Sequence, residues 1–81
     1  MADNIRRIRQ PEVEALAMAG AIRHVTVEPA PGEGWAVRIR AGVEDVIVAS
    51  QDRPVRIWRS LDTLDGWMRA RGIGRYEVHT V

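Results

Sequence analysis

Cysteine is missing from the 81 residues, and so are lysine and phenylalanine. A chain with no thiol forms no disulfide, runs no thiolate chemistry and builds no cysteine-bound zinc site. Also missing is any run near the roughly 18 apolar residues that a membrane-spanning helix needs. The opening MADNIRRIRQ has no apolar core of a signal peptide. A soluble, cytoplasmic protein is therefore expected. A dominant charge sign is absent as well: 12 basic residues face 11 acidic ones, for a net charge of +1. That balance lacks the uniformly basic footprint of a strong DNA binder.

What the chain has in quantity is arginine, which supplies every basic residue. A GC-rich coding sequence explains that bias in one way. Selection for planar, two-pronged binding of phosphate or carboxylate explains it in another, because a guanidinium fits those groups better than an ammonium does. With 81 residues there is room for one small core, and a second copy of the chain would be a natural source of further buried area.

The pattern along the chain predicts one α+β domain over residues 10–81, preceded by a flexible basic arm over 1–9 that carries Arg6, Arg7 and Arg9. PEVEALAMAG reads as a helix. Pro11 suits its first turn, Glu12 and Glu14 face the positive end of its dipole, and Gly20 stops it. Four β-type runs follow: IRHVTVE (22–28), WAVRIRA (35–41), VEDVIVAS (43–50) and VRIWRS (55–60). The first two alternate apolar with polar residues, the mark of a sheet with one wet face. Ser60 stands at a helix N-cap position, and Leu61, Leu64 and Met68 form a stripe with Trp67 at its border. Gly72 and Ile73 read as a Schellman stop, and RYEVHTV (75–81) as a last strand. The expected order is α-β-β-β-β-α-β. The expected architecture is a two-layer sandwich, with both helices on one face of a mostly antiparallel five-stranded sheet.

Such a sandwich leaves the other sheet face open. Alternation assigns it His24, Thr26, Glu28, Ala36, Arg38, Arg40, Arg56, Trp58, Glu77 and His79. Three readings of this face stay open. It is a solvated surface whose arginines pair across strands with Glu28 and Glu77. It is a partner surface, most simply of a homodimer, since tryptophan and arginine are the residues of interface hot spots. Or it binds nucleic acid, with arginines on phosphates and Trp58 stacked on a base. Arg38, Arg40, Arg56 and Trp58, with Arg6 and Arg7 of the arm, are the candidate surface residues.

Catalytic signals are scarce. Ser60 is explained as a cap, and neither Ser60 nor Ser50 lies in a nucleophile elbow. Gly32, Gly34 and Gly42 match neither a P-loop nor a dinucleotide fingerprint. His24 and His79 could meet if the first and last strands were neighbours and hold a metal with Glu28 or Glu77, but solvated histidines are the plainer reading. Neither an enzyme activity nor a cofactor, metal or small-molecule substrate is expected.

The stretch RIWRSLDTLDGWMRARGIGRYEV resembles the C-terminal half of small proteins carried on bacterial plasmids, the partition-associated ParC type. The likeness lies in the aromatic-Arg-Ser-Leu-Asp run at 58–62, the Leu64 and Met68 stripe, the Arg-Gly-Ile stop at 71–73 and the aromatic-x-Val strand at 76–78. The resemblance implies a non-enzymatic accessory in plasmid partition or maintenance, working beside a partition protein or on DNA. It carries over no binding residues.

Overall fold

The computed structural model describes residues 5–80. Seven elements follow one another as β1 (Arg6–Ile8), α1 (Gln10–Met18), β2 (Ile22–Ala30), β3 (Gly34–Ala41), β4 (Glu44–Val48), α2 (Leu61–Ala70) and β5 (Glu77–Val78). The clean alternation of β2 and β3 sets their antiparallel register, with Val25 opposite Ile39 and Val27 opposite Val37. A tight turn at Gly42, where φ is 65°, feeds β3 into β4, and Val46 then faces Ile39. These apolar partners all lie on one side of the sheet, so a one-residue slip on any strand would expel its whole set from the core.

The sheet order is β1-β4-β3-β2-β5. β1 runs parallel to β4 and β5 parallel to β2, while the two pairs between them are antiparallel. The sheet is therefore mixed, not mostly antiparallel, and the first element among the described residues is a strand instead of a helix. The expected arm over 1–9 lies partly outside the described residues. Within them, Arg6–Ile8 pairs with β4, and Ile8 is 1% exposed. Two arginines around one buried isoleucine hide this strand from any periodicity. The run at 55–60 also departs from expectation, since its ties to strands are one bridge between Trp35 and Trp58 and one bond from Arg56 N–H to the Val48 carbonyl, short of a ladder.

Both helices cover the valine and isoleucine side. Val13 of α1 and Leu64, Trp67 and Met68 of α2 join Ile8, Val25, Val27, Val37, Ile39, Val46 and Val48 in one cluster. Each side chain fully withdrawn from water stabilises the fold by ~1.5–3 kcal/mol. The helix ends follow their local chemistry. Ser60 Oγ accepts from the Thr63 N–H at 3.1 Å. Gly72, at φ 79°, lets Ile73 N–H reach the Met68 carbonyl at 2.9 Å, which closes a Schellman motif. Gly20 ends α1 in the same way, with Ala21 N–H bonded to the Leu16 carbonyl at 3.0 Å.

Candidate functional site

The open sheet face carries rows of side chains set by the register. Arg7, Ile47, Arg38, Thr26 and Glu77 form one row across all five strands. Its charges are largely answered within the chain. Arg38 Nε donates to Glu28 at 3.2 Å, and Arg40 grips Asp45 at 2.8 and 3.3 Å. His24 Nε2 lies 3.0 Å from Glu77 Oε1, and His79 Nε2 lies 3.6 Å from the same oxygen. The two histidines thus meet around Glu77, and His24 holds that carboxyl below its ordinary range. Among the described residues no three or more His, Asp or Glu side chains are grouped to hold a metal. The outer face is mainly a solvated lattice of cross-strand pairs, which screening in water leaves weakly stabilising.

Trp58 is not on this face. It is 4% exposed and belongs to the hydrophobic cluster with Leu64 and Met68. The segment 55–58 is held by two backbone bonds to Trp35, at 2.8 and 2.9 Å, and by one from Arg56 N–H to the Val48 carbonyl. With no ladder to impose alternation, the largest apolar side chain turns inward, because it has the most area to withdraw from water. Trp58 therefore cannot stack on a base, and the candidate residues divide. Arg7, Arg38 and Arg40 stand on the open face. Arg6 is at the sheet edge, tied to Glu44 at 3.1 Å and Glu12 at 3.4 Å. Arg56 is on the helix side.

There Arg56 joins residues that alternation did not single out. Its guanidinium lies 4.6 Å from the Trp58 ring centre and 5.5 Å from that of Trp67. The two indoles are 4.9 Å apart and tilted by 58°. Gln10 Oε1 accepts from Trp67 Nε1 at 3.2 Å and from Arg56 at 3.4 Å. Arg71 also lies over Trp67, at 5.0 Å, donates to the Trp67 carbonyl at 3.2 Å and pairs with Glu14 at 3.3 Å. Cation–π contact of this kind contributes ~0.5–2 kcal/mol per pair. Burial pushes the Arg56 guanidinium below its ordinary value, and the positive charge of Arg71 adds to the effect. Gln10 is a lone polar residue at a helix start, which no pattern marks.

The arginines sort into two sets. Arg6, Arg38, Arg40, Arg53, Arg69 and Arg71 each have a carboxylate partner. Arg7, Arg9, Arg23, Arg56, Arg59 and Arg75 have none among the described residues. Arg23 and Arg75 are exposed beside a hollow of about 460 Å³, and Arg59 is exposed as well. Arg7, Arg9 and Arg56 border two adjoining hollows of about 440 and 390 Å³. These hollows share Arg9, Glu12, Ala49, Ser50 and Gln51, between β1, the start of α1 and the connection after β4. Of the unanswered guanidiniums, only Arg56 is partly withdrawn from solvent.

The fold and this end together define a small α+β domain that displays a few oriented, unneutralised arginines on an otherwise balanced surface. The ParC-like family model matches residues 8–81, so the chain belongs to the ParC-like family. No curated protein and no solved structure matches it.

Proposed function

We propose that this ParC-like protein is a non-enzymatic interaction module serving plasmid partition or maintenance. Its partner meets the end built by β1, the start of α1 and the connection after β4. The observation that carries this reading is the sorting of the arginines, since three of the unanswered ones gather at a single end. Family membership across residues 8–81 supports the plasmid context. A role in binding, not in chemistry, is supported by how the nucleophilic side chains are employed. Ser60 caps α2 and Ser50 Oγ accepts from the Arg53 N–H at 3.1 Å.

Homodimerisation through the open sheet face has less to rest on, because Arg38, Arg40 and His24 already pair within one chain. The nucleic-acid reading loses the stacking platform that Trp58 would have supplied.

Deleting the gene from a plasmid that carries it should raise the rate of plasmid loss over many generations without selection, and supplying it in trans should restore retention. Unchanged retention in the deletion strain would reject the reading. Sedimentation at high micromolar concentration decides the oligomeric state separately, and a monomer there removes the dimer.

A further inference from the structure

We propose that the hollow between Gln10 and the Ser50–Arg56 connection is a carboxylate-binding site. It receives a single acidic side chain from an extended segment of a protein partner, with Arg56 as the central donor and Arg9 at the rim. This assignment rests on the interaction-module reading and supplies the chemistry of the partner.

Arg56 is oriented before anything binds. Its Cζ lies 4.6 Å from the Trp58 ring centre and 5.5 Å from that of Trp67, and these two contacts restrain the guanidinium. Binding therefore freezes little that is not already fixed. A guanidinium offers five N–H donors. The structure gives those of Arg56 one long bond, 3.4 Å to a Gln10 oxygen that Trp67 already engages. Arg71 supplies the internal contrast, for it lies over the same indole but has the Glu14 carboxylate at 3.3 Å. Arg56 is thus a half-buried cation with two aromatic neighbours and no counter-charge among the described residues. Two-pronged pairing with a carboxylate is the interaction its geometry leaves open.

The rim of the hollow distinguishes carboxylate from phosphate. Glu12 stands at both hollows and Asp52 at the second. A polyanionic backbone running across this end would meet both acids, whereas a single carboxylate entering the first hollow meets Glu12 alone of the two, beside Arg9 and Arg56. The volume of about 440 Å³ takes a short polar side chain with its flanking backbone. The overall charge of +1 gives a nucleic acid no broad field to follow.

The probe is a fluorescein-labelled peptide with one glutamate flanked by glycine and serine, followed by anisotropy at ~50 mM salt, where weak ionic contacts are least screened. Saturable binding is expected, roughly tenfold weaker in Arg56→Lys, which keeps the charge but loses the planar fork. Arg9→Gln, at an exposed side chain that leaves the core untouched, should weaken it several-fold. The double variant Arg38→Gln/Arg40→Gln should bind as the wild type does. A thermal melt of each variant shows that it is folded, and the Arg9→Gln result stands even where Arg56→Lys is not.

Absence of binding overturns the proposal, and so do equal losses in the Arg38/Arg40 and Arg56 variants. A single-stranded oligonucleotide of eight nucleotides that binds more tightly than the peptide, in an Arg56-dependent way, also overturns it and assigns the site to phosphate. Plasmid loss on gene deletion together with no peptide binding sinks this site alone. Peptide binding without plasmid loss sinks the plasmid reading alone.

Discussion

The carbonyl oxygen of Trp58 occupies the space where a side chain on Gly34 would begin: a Cβ built there lies 2.1 Å from it. Gly34 also has a φ of 139°, which residues with a side chain rarely adopt. Backbone bonds between Trp35 and Trp58, at 2.8 and 2.9 Å, draw the two segments together at this point. Gly34→Ala must therefore push the 58–59 backbone away and break the bridge that turns Trp58 inward. Destabilisation by more than about 2 kcal/mol is expected, measured by urea unfolding. A variant within about 0.5 kcal/mol of the wild type would show that the approach is not needed.

The two indoles of the core should respond differently to the same shortening. Trp67 Nε1 donates to Gln10 at 3.2 Å, whereas Trp58 Nε1 is buried with no partner among the described residues. Trp67→Phe loses a hydrogen bond and leaves the Gln10 oxygen with only the long contact to Arg56. Trp58→Phe removes a donor that was already unsatisfied. Although Trp58 is the more deeply buried, at 4% against 9% exposure, Trp67→Phe should cost about 1 kcal/mol more. Chemical denaturation of both variants checks the order, and the reverse order would refute it.

Residue 8 tests whether the start of the chain is an arm or a strand. Ile8 belongs to the core cluster, and its carbonyl accepts from the Ala49 N–H at 2.7 Å. Ile8→Ala should cost ~2–4 kcal/mol, the range for emptying a buried aliphatic site. The Ala49 amide should exchange slowly with solvent in the wild type. A frayed arm would give a neutral substitution and a fast amide.

That strand marks a limit of what the residues reveal by themselves. The β2–β3 hairpin, the Ser60 cap and the Gly72–Ile73 stop are legible because each is made by neighbours in sequence. β1 is not, since its single buried residue gains meaning only from a parallel partner 40 positions away, as in the Arg6–Val46 pairing. The mixed sheet was hidden for the same reason: both parallel pairs join strands that are distant in the chain. Trp58 shows a third kind of limit. Alternation placed it outward, but periodicity acts only where a ladder enforces it, and one bridge does not. Arg56 was legible as a candidate surface residue. Its setting was not, because Trp67 and Gln10 reach it from two helices.

The contact between Tyr76 and Asp65 gives the fold a pH window whose edges follow from the direction of each shift. The Tyr76 hydroxyl donates to the Asp65 carboxylate, which also accepts from Arg69 Nε at 2.7 Å. The bond to Tyr76, then the one to Arg69, holds Asp65 below the ordinary carboxyl range. The same bond, with some burial, holds the Tyr76 hydroxyl above the ordinary phenol value. The depressed group adds stability that is present above its unfolded value, near pH 4, and is lost as pH falls through its folded one. The raised group adds stability that is complete below its unfolded value, near pH 10, and is lost as pH rises through its folded one, where phenolate would face carboxylate. Tyr76 is the chain's only tyrosine, so absorbance near 295 nm (the phenolate band) reports on it with no other phenolate contributing. The native midpoint should lie above pH 10. In Asp65→Asn it should fall back toward the ordinary value, and the stability difference from wild type should shrink at both extremes of pH. An unchanged midpoint in Asp65→Asn would mean that the carboxylate does not hold the phenol's proton.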